Sequence, residues 1–150
     1  MRTVNFGIIG LGLMGREFGS AIARWCHLTD MNVKPQLVAI CDANAAMFPW
    51  FADNFPSIRQ KTASYAELLA NKDVEAVYIA VPHNLHEQLY VDAINAGKHM
   101  LGEKPFGIDL KANNAIMDCI RKNPSVFVRC SSESPFFPAM QRLGEMIDRK

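Results

Sequence analysis

Apolar and polar positions follow two rhythms along this chain. Short apolar runs, "VNFGII" at 4–9, "QLVAIC" at 36–41 and "AVYIAV" at 76–81, predict buried strands. "HML" at 99–101 and "VFVRC" at 126–130 predict two more, and a short extended piece is expected near Ile58. Between them the spacing becomes helical. Phe18, Ile22 and Trp25 share one face of a helix predicted over 13–27. Residues 43–54 predict a second helix, limited by Pro49, since proline is tolerated in a first turn and costly in an interior. A third is expected around Tyr65 to Ala70. Residues 85–96 predict a fourth, with Asn84 as cap, Glu87 completing a capping box and Gly97 just past the end. Asp109 is the expected cap of a helix over 110–122, and 138–149 places Met140, Leu143 and Ile147 on one face.

Six strands alternating with helices define the expected fold class. It is α/β, a Rossmann-type, doubly wound, mainly parallel six-stranded sheet with helices on both faces. A chain of 150 residues with 49% hydrophobic content suits one such core. Sixteen basic and fifteen acidic residues give a net charge of +1, with no run of like charge. That balance offers no electrostatic footprint for nucleic acid or an anionic membrane. No apolar run approaches the ~20 residues needed to span a bilayer. The "FGIIGLGLMG" stretch superficially resembles a secretory leader, but glycines punctuate it and Arg16-Glu17 interrupt it, so no leader is expected. Cys26, Cys41, Cys119 and Cys130 are widely spaced without a CxxC pair, which fits buried, reduced thiols in the cytoplasm.

Against that frame "GLGLMG", residues 10–15, carries chemistry. It follows the first strand and opens the first helix. Gly10 permits the tight turn, Gly12 lets the backbone approach a pyrophosphate, and Gly15 allows close helix–strand packing. Leu11, Leu13 and Met14 lie between them, and the helix N-terminus presents unpaired amides to phosphates. Asp42 ends the second strand, where an acid accepts both ribose hydroxyls and repels a 2′-phosphate. Ala43, Asn44 and Ala45 supply no cation for such a phosphate, so NAD is favoured over NADP. Capping of the following helix by Asp42 is a compatible second role.

"AVPHNLH", residues 80–86, ends the fourth strand across the switch point from the glycine loop. Pro82 stiffens a turn beside the nicotinamide. His83 and His86 are spaced by three, but no third ligand accompanies them and no metal is expected. His86 either bonds locally in the first helical turn or joins Val81, Pro82 and His83 in contacting cofactor. Then "GEKP" ends the fifth strand. Proline pushes Lys104 into an extended backbone, so the amine is aimed from a fixed strand end. An amine beside a nicotinamide can exchange a proton with an alcohol or carbonyl. Glu103 either binds the nicotinamide ribose or balances the lysine charge.

Together "GLGLMG", "VPHNLH", "AGKHMLGEKP" and "SSESPFFPAM" resemble the glucose–fructose oxidoreductase and inositol dehydrogenase family, often called Gfo/Idh/MocA. The resemblance implies an NAD(P)-dependent oxidoreductase acting on CH–OH groups of sugars, polyols or inositols. It implies Lys104 at the catalytic centre, Glu103 by the nicotinamide ribose and a cis bond before Pro105. Val81-Pro82-His83 departs from the family's frequent Thr-Pro-Asn. It further implies that residues 1–125 form the dinucleotide-binding domain. Residues 126–150 would then be a last strand and helix leading toward a substrate domain absent from this chain, which alone would turn over little. The parent is expected to be a homo-oligomer, and this chain to self-associate through the 138–149 helix. Two other readings stay open: a non-catalytic dinucleotide sensor on the same fold, which Lys104 disfavours, and an S-adenosylmethionine-dependent transferase, which the Glu-Lys-Pro triplet disfavours.

Overall fold

The computed structural model describes residues 1–149. Six strands, β1 (Arg2–Ile9), β2 (Val33–Cys41), β3 (Gln60–Thr62), β4 (Ala76–Ile79), β5 (His99–Glu103) and β6 (Val128–Ser131), form one sheet in the order β3-β2-β1-β4-β5-β6. Every adjacent pair is parallel. The order reverses at the β1–β4 junction, the place where an open α/β sheet opens a crevice at its carboxyl edge.

Side-chain alternation, broken once in β2 where the register shifts from Phe6–Leu37 to Gly7–Ala39, divides the core into two layers. Ile8, Leu37, Ile40 and Tyr78 point to one face and meet Ile22 of α1 (Leu13–Ala23) and Phe51 of α2 (Phe48–Asn54). Ile9, Val38, Cys41, Val77 and Ile79 point to the other face. There they meet Leu68 of α3 (Tyr65–Ala70), Leu89 and Ile94 of α4 (His86–Asn95), and Ile116 of α5 (Leu110–Lys122). Strands buried on both faces read as unbroken apolar runs, as Leu37–Cys41 of β2 and the whole of β4 do.

Several boundaries differ from expectation. The first helix stops at Ala23 and gives way to a 3₁₀ turn at Trp25–His27. The 43–54 segment divides into a 3₁₀ turn, Ala45–Met47, and α2, with Pro49 tolerated in its first turn. Asn84 does not cap α4: a 3₁₀ turn over His83–Leu85 intervenes, and Leu85 occupies the cap position without a side-chain bond. The amide of Leu85 bonds instead to the Pro82 carbonyl at 2.9 Å, so the chain coils into the helix. Gly97, with φ +72°, follows the end of α4 as its composition demands. Asp109 caps α5, accepting the Ala112 amide at 2.8 Å. β6 pairs with β5, so the sheet itself runs past residue 125. The final helix, α6 (Pro138–Asp148), has no buried side chain; Met140, Leu143, Met146 and Ile147 are exposed. No helix is long and apolar enough to cross a membrane among the described residues. Of the cysteines, Cys41 and Cys119 are buried and Cys130 partly so, but Cys26 is exposed because it lies in the 3₁₀ turn rather than on a core-facing helix.

Candidate functional site: a cleft at the carboxyl edge of the sheet

The turn out of β1 is made by Gly10 in the left-handed region, φ +93°. A Cβ there would also lie 2.2 Å from the Ala80 carbonyl oxygen, so neither conformation nor space admits another residue. A Cβ on Gly15 would lie 2.2 Å from the Gly10 carbonyl, which brings α1 tight against the turn. Gly12 differs: nothing stands within 4 Å of where its Cβ would be. Its bare backbone faces open space at the start of α1, where the first-turn amides have no intrahelical acceptor. A phosphate group fits that combination of positive partial charge and close approach.

Asp42 fixes the loop from the side. Its carboxylate accepts the Leu11 amide and the Asn44 amide, each at 2.8 Å. Asn44, not Asp42, caps the following turn, accepting the Ala46 amide at 3.0 Å. Each carboxylate oxygen keeps lone-pair capacity for a hydroxyl donor. Leu11 plays another part than expected: its side chain is wholly buried among the α1–α2 layer and its amide is taken by Asp42. The amide surface left for an anion comes from Gly12 and the exposed Leu13 and Met14.

These elements wall a cleft of about 510 Å³. It is lined by Ile9, Gly12 and Asp42 together with Val81, Pro82, Tyr65 and Leu89. The lining combines bare glycine backbone and a carboxylate with apolar side chains, a composition that suits a flat heterocycle joined to an anionic linker. Tyr65 and Leu89 carry no motif. Their signal is positional only: Tyr65 opens the helix after β3, whose carboxyl end must lie on the same edge. The Tyr65 hydroxyl donates to Asp92 at 3.0 Å, which fixes the ring and pushes its pKa up. Cys41 lies against the floor, and burial, with the charges of Asp42 and Glu67, pushes its pKa up to about 11.

Beyond Pro82 the structure brings the second motif and the third together. Lys104 is exposed, directly after β5, and the Lys104–Pro105 peptide is cis. Glu103 points inward and is 6% exposed. Its Oε1 accepts the Tyr78 hydroxyl at 2.5 Å and its Oε2 the Lys104 amide at 3.2 Å. Glu103 is therefore bonded to a phenol, not to the lysine charge. Burial and the carboxylate both raise the Tyr78 pKa, so the phenol keeps its proton. His86 is fully buried, which leaves its ring no surface for a cofactor. Its Nδ1 lies 2.8 Å from the Pro105 carbonyl and its Nε2 3.1 Å from the Val81 carbonyl. Pro82 and His83 are exposed, and of the two Pro82 lines the cleft.

Comparison with known proteins agrees with this geometry. Residues 4–130 match the family described as "Oxidoreductase family, NAD-binding Rossmann fold" (GFO_IDH_MocA). The chain belongs to this family. Among relatives within it, the trans-1,2-dihydrobenzene-1,2-diol dehydrogenase of Mus musculus is 32% identical over 144 residues, 96% of this chain and 41% of its own. The inositol 2-dehydrogenase of Salmonella paratyphi B is 26% identical over 146 residues, 97% of this chain and 42% of its own. The Gfo/Idh/MocA fold recurs in the scyllo-inositol dehydrogenase of Lactobacillus casei, solved with NAD(H) and scyllo-inositol. That structure matches with a TM-score of 0.82 and 25% identity, covering 99% of this chain and 42% of that one. The chain thus spans about two fifths of the length of these relatives.

Proposed function

We propose that this chain binds NAD in the cleft and supplies the cofactor half of an oxidoreductase acting on a CH–OH group of a sugar, polyol or inositol. The observation that carries the reading is the shared edge. One cleft joins a Gly12 backbone with open space above it to the Asp42 carboxylate, and Lys104 follows β5, the neighbour of the strand that leads into its Val81–Pro82 wall. Gly12, Leu13 and Met14 would hold the pyrophosphate with their amides, while Gly10 and Gly15 shape the loop. Asp42 would accept the adenosine ribose hydroxyls, and Tyr65, Leu85 and Leu89 would flank the adenine. Val81, Pro82 and His83 would face the nicotinamide. When bound, the cofactor supplies the hydride chemistry, and the protein supplies placement and charge. Lys104, free at a rigid strand end, would orient the substrate hydroxyl and hold or pass its proton. Substrates of this class fit the diol and inositol names of the relatives. The cytoplasm is the compartment proposed, and a homo-oligomer the state proposed for the whole protein.

Calorimetric titration of this chain with NAD and NADP tests the reading. NAD is expected to bind more tightly than NADP. Asp42→Ala should weaken NAD by about 10- to 100-fold, the cost of hydrogen bonds to a charged acceptor. Lys104→Ala should leave binding of the adenine half intact. Failure of either dinucleotide to bind would remove the cofactor reading, and tighter NADP would overturn the role given to Asp42.

A further inference from the structure

Lys104 is useful only if its backbone is held still relative to the nicotinamide side of the cleft, and nothing in its own exposed side chain does this. The holding groups lie beneath it. Three consecutive residues, Glu103, Lys104 and Pro105, have a backbone polar group tied to a buried side chain. The Glu103 carbonyl accepts the Tyr90 hydroxyl at 2.8 Å. The Lys104 amide bonds to the Glu103 carboxylate, itself held by Tyr78. The Pro105 carbonyl lies 2.8 Å from His86 Nδ1. His86 and Tyr90 sit one helical turn apart on α4, stacked with centroids 4.8 Å apart and an interplanar angle of 21°. Gly102 makes room for this pair: a Cβ there would fall 2.6 Å from the Tyr90 ring.

The other side of His86 reaches across. Its Nε2 faces the Val81 carbonyl at 3.1 Å, on the wall of the cleft itself. A single rigid imidazole therefore spans the turn after β4 and the turn after β5. Both partners are carbonyl oxygens, which only accept, so a neutral ring donates to one of them; the shorter, 2.8 Å contact assigns that proton to Nδ1, and Nε2 packs against the Val81 carbonyl. We propose that His86, with Tyr90, is a positioning residue of the hydride-transfer site: it fixes the distance between the Val81–Pro82 wall and the Lys104 backbone without touching cofactor or substrate. The role rests on the dinucleotide reading above and adds to it a division of labour. The glycine loop and Asp42 hold the adenine half, and the α4 clamp sets the nicotinamide half.

That division provides the test, which is to titrate the chain with NADH and with ADP-ribose, the same molecule without the nicotinamide. In the wild type both ligands bind, and bound NADH shows an altered fluorescence. His86→Phe keeps the ring stack and deletes the polar contacts to the Pro105 and Val81 carbonyls and to the Tyr90 hydroxyl. It is expected to weaken NADH by about 5- to 10-fold, one to two neutral hydrogen bonds in free energy, and to return its fluorescence toward the free state. ADP-ribose affinity should be unchanged. Tyr90→Phe removes one hydroxyl and no volume, and is expected to act the same way more weakly. It decides the matter if the His86 variant fails to fold. Independently, the wild-type Nδ1 proton of His86 should be visible by NMR and slow to exchange. Equal losses for both ligands would make the clamp merely structural and overturn the proposal, as would an unchanged NADH to ADP-ribose ratio or a bare Nδ1. If neither ligand binds the wild type, the dinucleotide reading itself is what fails.

Discussion

Single residues differ in how openly the sequence displays their work. Gly10, Gly12 and Gly15 are readable because their function is the absence of a side chain, and spacing alone conveys that. Asp42 is readable because a strand end must lie on the ligand edge. The inward turn of Leu11, Glu103 and His86 is not readable, because a motif gives position along the chain and not the direction of a side chain; for His86 the local bonding that the sequence left open as one alternative is what the ring makes. Gly15→Ala should cost about 1–3 kcal/mol, as overpacking against a backbone carbonyl does, seen as a lower urea midpoint with an unchanged slope. An unaffected midpoint would show that α1 can back away from the loop. Thiol reactivity sorts the cysteines. With a disulfide reagent at about pH 8, Cys26 should label first. Cys41, buried and with its pKa pushed up to about 11, should label last. Labelling of Cys41 at the rate of Cys26 would mean that the cleft floor opens.

Elements were legible where period and punctuation agree. α3 and α5 lie where the sequence puts them, β2 begins three residues before its apolar run and β4 stops two short of its own, and Asp109 caps α5 as its sequence predicts. Starts and stops slipped where backbone hydrogen bonds, rather than side chains, finish a segment. The 3₁₀ turns at Trp25–His27 and His83–Leu85 are of that kind, and a helical pattern does not distinguish one extra tight turn. One tie between elements was invisible in the sequence. Glu75, just before β4, accepts the Asn5 amide of β1 at 2.9 Å and the Arg2 guanidinium at 2.8 Å. The Asn5 amide first, and Arg2 next, lower its pKa. A carboxylate lowered in the folded state stabilises above the ordinary glutamate range, and that contribution is lost as pH falls through the folded value. Stability should therefore decline on acidification below about pH 4.5 more steeply in the wild type than in Glu75→Gln. Urea midpoints across that range measure it, and parallel curves would remove Glu75 from the acid limb.

At the scale of the whole molecule, the alternation of short apolar runs with helical spacing was enough to give the doubly wound sheet. The glycine loop then marks the edge at which the dinucleotide is proposed to bind. The inner support under Lys104 was not legible, because it depends on which strands become neighbours: Tyr78 meets Glu103 only once β4 lies beside β5. One part of the chain stands outside this economy of contacts. Helix α6 presents Met140, Leu143 and Ile147 to solvent, and such a stripe promotes association. Sedimentation velocity at rising concentration should show reversible self-association, relieved by Leu143→Glu with Ile147→Lys. A concentration-independent monomer would exclude it. The same helix gives the molecule two clocks. Amides of Gly7–Ile9 in β1 and of β4, walled by both layers, should exchange with deuterium only when the whole domain opens. Those in α6, with no buried side chain to hold them, should be replaced far sooner through local fraying.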